Sequence, residues 1–264
     1  MAKIFSVFNQ AGGVGKTTLS MNLGYELSQR GKRILLLDFD PQGSLTIFMG
    51  LEPESLSATI YDCLMKSYPT SAAILPSLHG MDLLPANIGL GMAEMELVVA
   101  PMRESKLKKV LTPILKSYDL ILIDCLPSLG MLSYLSLVTS DCVLVPIDCE
   151  FKSYRGTDLL LQTVENVKGE ANPDLSVFGF VPTKYSKAKT QHKRSLGAMN
   201  QYLSMIAPVF EPIPNAIAFA DASEQGQPLA TYDRRHEALK SIALLADQVC
   251  AELNQDLGAL AHVQ

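Results

Sequence analysis

At 264 residues the chain is long enough for a sheet covered on both faces, and 48% hydrophobic content with 19% charge excludes a disordered chain. The net charge of −5, from 22 Lys and Arg against 27 Asp and Glu, argues by itself against nucleic acid as a partner. Only five apolar-leaning residues separate Lys3 from the first polar turn, and no run approaches about 18 apolar residues, so neither a signal peptide nor a membrane span is expected.

The first predicted element is a buried strand over residues 4–8, followed by Asn9-Gln10-Ala11-Gly12-Gly13-Val14-Gly15-Lys16-Thr17-Thr18. Residues 17–29 read as a helix with Leu19, Leu23 and Leu27 on one face, stopped by Gly31. A strand, a glycine-rich turn and a helix opening at Gly-Lys-Thr form a phosphate cradle. Backbone N–H groups turn inward, the helix N-terminus adds positive potential, Lys16 reaches the outer phosphates and the Thr17 hydroxyl serves Mg²⁺. The second strand, 33–38, runs into Asp38-Phe39-Asp40-Pro41-Gln42-Gly43, two carboxylates suited to the metal shell and to orienting an attacking water. Residues 52–76 are the least regular and are expected to be a mobile surface segment. Strands follow at 82–84, 120–124, 142–147 and 175–181, the second of these ending in Asp124. Residues 237–253 repeat apolar side chains at helical spacing (Leu239, Ile242, Leu245, Val249) and predict a packed terminal helix. Alternation of short apolar runs with helices predicts an α/β fold, a mainly parallel twisted sheet with helices on both faces, in one domain over 1–264. Ligands of such sheets gather at the carboxyl ends of the strands, where these motifs fall. Five cysteines (Cys63, Cys125, Cys142, Cys149, Cys250), without a Cys-x-x-Cys pair, predict free thiols in a cytoplasmic protein.

The Gln10–Thr18 segment resembles the deviant Walker A box of the ParA/MinD ATPases, Asp38–Gly43 resembles their switch segment, and Leu120–Pro127 their Walker B strand. Pro146 with Glu150 and Gly156, Glu211-Pro212-Ile213-Pro214-Asn215, and Ala222 through Pro228 are also similar to family segments, so the resemblance covers nearly the whole chain. It implies a P-loop NTPase that binds ATP or ADP with Mg²⁺, forms ATP-dependent sandwich dimers and hydrolyses slowly. It implies contacts to nucleotide from Ala11 through Thr18 and, at the adenine, from Pro212, Ile213 and Pro214. Metal ligation falls on Thr17, Asp38 and Asp124, and catalysis on Lys16, Asp38 and Asp40. It also implies nucleoid-associated, non-specific double-stranded DNA binding by the dimer, and a ParB-like or McdB-like adaptor that stimulates turnover while a plasmid, chromosome or carboxysome is positioned.

The family's signature lysine is replaced by Ala11, and a methyl group cannot supply a cross-dimer charge. Arginine-finger-like charges contribute roughly 10³–10⁵ in rate. Three accounts stay open: an introduced substitution, a natural variant with very weak hydrolysis, or another cation in the role, for which Lys152 is the preferred residue. Absence of the lysine is similar to the McdA subgroup. No acid occurs between residues 175 and 210, where Lys184, Lys187, Lys189, Lys193 and Arg194 cluster; with Arg234 and Arg235 these form the candidate DNA face, against the plainer reading of a solvated helix face. His192 and His236 are expected at the surface. The competing functions are a MinD-like membrane regulator, disfavoured because residues 238–264 carry only Lys240 as a cation, a cluster-bridging redox ATPase through Cys125, and a catalytically weak nucleotide-dependent interaction module.

Overall fold

Apolar runs without polar alternation need cover on both sides, and the sheet provides it. The computed structural model describes residues 1–150 and 156–261. Seven strands, β1 (Lys3–Val7), β2 (Ile34–Phe39), β3 (Leu75–Leu78), β4 (Met81–Leu84), β5 (Leu120–Cys125), β6 (Cys142–Asp148) and β7 (Ser176–Thr183), form one sheet in the order β3-β4-β2-β5-β1-β6-β7. All pairings are parallel except β3 with β4. The helices are α1 (Lys16–Gln29), α2 (Ser44–Phe48), α3 (Ile60–Met65), α4 (Thr70–Ala73), α5 (Gly89–Val99), α6 (Lys106–Leu111), α7 (Met131–Thr139), α8 (Thr157–Glu170), α9 (Thr190–Tyr202), α10 (Ala218–Glu224), α11 (Leu229–Tyr232) and α12 (Leu239–Ala261).

Successive side chains of each central strand enter opposite cores. Leu35 and Leu37 of β2, with Ile121 and Ile123 of β5, pack beside α3, α5, α6, α7 and α8. Leu36 of β2, with Leu120 and Leu122 of β5, packs beside α1, α10 and α12. On α12, Ile242, Leu245 and Val249 are buried against the latter core. Each such burial stabilises by about 1.5–3 kcal/mol, so this face is held in the core rather than free for a lipid surface. Among the described residues no helix is long and apolar enough to cross a membrane.

One expectation is corrected, and one strand was unforeseen. The 52–76 segment is packed rather than mobile: Ala58, Ile60, Cys63 and Leu64 are buried, and Thr59 with Asp62 caps α3 reciprocally. The unforeseen β3 carries Pro76 in a short, half-exposed strand, which only a sheet edge accepts, and it turns into β4 through His79 and Gly80, both at positive φ. The other strands lie within one or two residues of expectation. All five cysteines are free.

Candidate active site

Residues between β1 and α1 form the first wall. Gly13 and Gly15 adopt φ of +71° and +89°, conformations that favour glycine and turn successive N–H groups to one side of the loop. Asn9 ties the loop down: its Nδ2 donates to the Pro146 carbonyl at 2.8 Å, and its Oδ1 accepts from the Ala11 N–H at 2.9 Å. The buried Lys16 ammonium donates to the carbonyls of Asn9 and Ala11, each at 2.9 Å. Burial lowers its pKa, while the negative potentials of the nearby Asp124 and Asp40 oppose that shift. Ala11, Gly12 and Gly13 are exposed at the mouth, Val14 is buried, and Thr17 and Thr18 are half-buried on the first turn of α1.

The carboxylates form the second wall. Asp38 and Asp124 are register partners on the neighbouring strands β2 and β5, and both are buried. Burial pushes Asp124 up to about 8, helped by the like charge of Asp38, while Thr17 and Ser20 oppose the rise; Ser20 Oγ donates to Asp124 Oδ1 at 3.1 Å. Ser20 was not anticipated, although it lies one turn after Lys16 on the same helix. Asp38 is likewise pushed up by burial, and its oxygens are already engaged. Oδ2 accepts from the Thr46 N–H and hydroxyl, each at 2.8 Å, and Oδ1 from the Asp40 N–H at 3.2 Å. Asp38 therefore also anchors the switch segment, in addition to the catalytic and metal-binding roles expected of it. Asp40, half-buried above it, caps the Gln42 N–H at 2.9 Å and is the carboxylate that faces outward beside Lys16.

Among the described residues no three His, Cys, Asp or Glu are gathered to hold a metal. Mg²⁺ takes few protein ligands and retains water and phosphate oxygens, so the buried Asp124 carboxylate with the Thr17 hydroxyl is a fitting hard-oxygen set. Two buried acids pushed toward protonation, with one lysine nearby, form a site that a divalent cation relieves. Cys125 is buried, its thiol pushed up to about 12 by burial and hydrogen-bonded to Ser136 Oγ at 3.2 Å. A neutral thiol enclosed in this way does not fit a cluster shared between subunits.

A mostly apolar cavity of about 400 Å³ opens beside the loop, bounded by Gly15, Thr18, Ile213, Pro214, Asn215 and Lys184, with Phe48, Phe219 and Ile242 among its apolar walls. Its size suits a nucleoside-sized group. Ile213 and Pro214 lie where the adenine loop was expected. Pro212 does not line the cavity; its carbonyl accepts from Ser241 Oγ of α12 at 2.9 Å. The loop is held by continuing the edge of β7: the Ile213 N–H donates to Pro182 at 2.8 Å and the Tyr185 N–H to Ile213 at 3.0 Å.

The basic residues divide. Lys187, Lys189, Lys193 and Arg194 are exposed around the start of α9, and Arg234 and Arg235 are exposed between α11 and α12. Lys189 pairs with Glu150 at 3.4 Å. Lys184, also exposed, borders the cavity and pairs with Asp148 at 3.8 Å. His192 is buried, contrary to expectation: its Nδ1 accepts from the Ser186 N–H at 3.0 Å, leaving Nε2–H to donate to Glu150 at 3.2 Å. His236 is half-buried and caps the Ala238 N–H at 3.2 Å. Lys152 lies outside the described residues.

With this geometry in view, the chain is similar to known proteins along almost its whole length. The family described as AAA domain matches residues 2–177. The chromosome-partitioning ATPase Soj of Treponema pallidum is 37% identical over 258 residues, covering 97% of this chain and 100% of that protein. A Mycobacterium smegmatis protein named cobyrinic acid a,c-diamide synthase, solved with bound ADP and magnesium, is 34% identical with a TM-score of 0.83, covering 94% of this chain and 93% of that one. Cyanothece McdA in its ATP complex shares the fold at 23% identity, with a TM-score of 0.84 over 95% of this chain and 96% of that one, and does not establish the subgroup. Sequence kinship and the loop, carboxylate pair and sheet order agree: the chain belongs to the ParA/MinD-type P-loop ATPases.

Proposed function

We propose that the protein binds Mg-ATP, dimerises through it, holds non-specific double-stranded DNA in that state, and positions a cargo with an adaptor that stimulates hydrolysis. The observation that carries this reading is the alignment of the glycine loop, Lys16, Asp40 and Asp124 at one edge of the sheet, beside an apolar cavity of about 400 Å³. The N–H groups of residues 12–17 and Lys16 bind the polyphosphate, Ile213 and Pro214 flank the base, and Thr17 and Asp124 hold the cation. Mg²⁺, when bound, neutralises charge on the phosphate oxygens. Asp40 orients the attacking water and accepts its proton. The described strands share one sheet, which supports treating the whole chain as one ATPase domain.

A dimer is supported by the exposed apolar side chains Met92, Met95 and Val99 of α5, flanked by exposed Ile88 before it and Met102 after it; Gly91 of α5 approaches Pro41 of the switch segment. Met92, Met95 and Val99 recur at helical spacing on α5, near the switch segment, where a second copy of the chain would cover them. A relative named for chromosome partitioning supports a chromosome as cargo; a plasmid cargo, a ParB-like adaptor and a nucleoid location in the cytoplasm are proposed with it. An McdB-like adaptor and a carboxysome cargo rest on Ala11 alone.

DNA retention is expected only with ATP, for any sequence, and to weaken steeply with salt as counterions are released. Replacing Lys187, Lys189, Lys193 and Arg194 together by Glu should abolish a filter-binding signal while leaving ATP-dependent dimerisation intact. Retained DNA affinity would place the DNA face elsewhere on the molecule.

A further inference from the structure

We propose that Lys184 is a nucleotide-binding cation supplied within the same subunit, holding the phosphate stretch that ADP and ATP share; the proposal rests on the ATPase reading above.

The backbone makes the case first. Lys184 has φ of +53°, the left-handed region that L-residues avoid. Both neighbours are pinned. Thr183 Oγ1 donates to the Val14 carbonyl of the phosphate loop at 2.8 Å, and its own carbonyl accepts from the Cys149 N–H at 3.1 Å. Tyr185 exchanges bonds with the cavity loop, donating to the Ile213 carbonyl at 3.0 Å and accepting from the Asn215 N–H at 2.8 Å. Lys184 thus bridges the two walls of the cavity in a conformation that glycine or asparagine would adopt at lower cost. Packing does not explain the lysine, because its side chain is 47% exposed. Strain held in place by anchored neighbours beside a binding cavity is a mark of function.

The head group supplies the second argument. Its Nζ lies 4.0 Å from the point where a β-carbon on Gly13 would stand, over the outer side of the phosphate loop. Asp148 Oδ2 is 3.8 Å away, close enough to steer the ammonium and too far to satisfy it as a hydrogen bond. Lys16 donates instead to the carbonyls of Asn9 and Ala11. The loop is therefore flanked by two ammonium groups, and Lys184 is the one on the cavity side, next to Gly15 and Thr18. A cation between a base-sized cavity and the phosphate loop meets the phosphates nearest the nucleoside, which both nucleotides carry.

Titration calorimetry with Mg-ADP and a non-hydrolysable Mg-ATP analogue tests this. Lys184→Gln should weaken both by about tenfold or more and by similar factors, as expected for one lost charge-assisted hydrogen bond. Lys184→Arg should retain most of the affinity. Lys184→Gly should bind as weakly as Lys184→Gln yet melt no lower than the unaltered protein, because glycine relaxes the backbone while removing the charge. At saturating ATP, Lys184→Gln should hold DNA as the unaltered protein does. Unchanged affinity for both nucleotides would overturn the proposal, as would a loss confined to the triphosphate, which would assign the lysine to the γ-phosphate, or a loss of DNA binding at saturating ATP, which would place it on the DNA face. If the unaltered protein bound neither nucleotide, the ATPase reading itself would fall with it.

Discussion

Lys16→Ala is expected to lower the affinity for Mg-ATP and Mg-ADP by at least about 100-fold, roughly 3 kcal/mol, in titration calorimetry. Lys16 is the buried cation of the loop, held by the Asn9 and Ala11 carbonyls at 2.9 Å each. Its replacement removes the charge that faces the phosphates and also the tie that shapes the mouth of the loop. The fold should tolerate the change. Burial, not Lys16, dominates the environment of Asp124, whose pKa it raises to about 8 against a smaller opposing influence of the Lys16 charge, so the loss of Lys16 changes that buried carboxyl little. A small change in melting temperature with a large loss of binding is the expected pair of results. Unchanged affinity would remove the loop from the nucleotide site.

Asp40→Ala should retain nucleotide and slow hydrolysis by about 10²–10⁴, the usual contribution of a positioned base. Asp38→Ala should behave differently. Its carboxylate accepts from Thr46 N–H and Oγ1 at 2.8 Å each, and Thr46 Oγ1 in turn accepts from the Ala86 N–H at 3.2 Å. Removing it leaves buried donors unpaired and should cost about 1–3 kcal/mol of stability as well as turnover. Single-turnover hydrolysis combined with thermal melting separates the two variants. Rapid turnover in Asp40→Ala would take it out of the catalytic role, and an unaltered melting temperature in Asp38→Ala would refute its anchoring role.

The fold was legible wherever burial on both faces produced unbroken apolar runs, as in Ile34–Phe39 and Leu120–Cys125. It was not legible at β3, where four residues at an edge, one of them proline, carry no two-sided burial signal. The phosphate loop could be read because its chemistry is contiguous in sequence. Asp38 and Asp40 could be found but not assigned, since their roles depend on which oxygen meets Thr46, a contact across eight positions and a turn. Lys184 was grouped with its basic neighbours because charge along the chain does not reveal that the backbone reverses its side chain toward the cavity. His192 was misjudged for a similar reason: its partner Glu150 is 42 positions away.

The central claim is an ATPase whose triphosphate joins two copies of the chain. Sedimentation velocity of the protein in Mg-ADP and in Mg-ATP, using Asp40→Ala to prevent turnover, tests it most directly. The account predicts a monomer with ADP and a dimer with ATP. A monomer at saturating Mg-ATP, with nucleotide binding shown in the same sample, would contradict it.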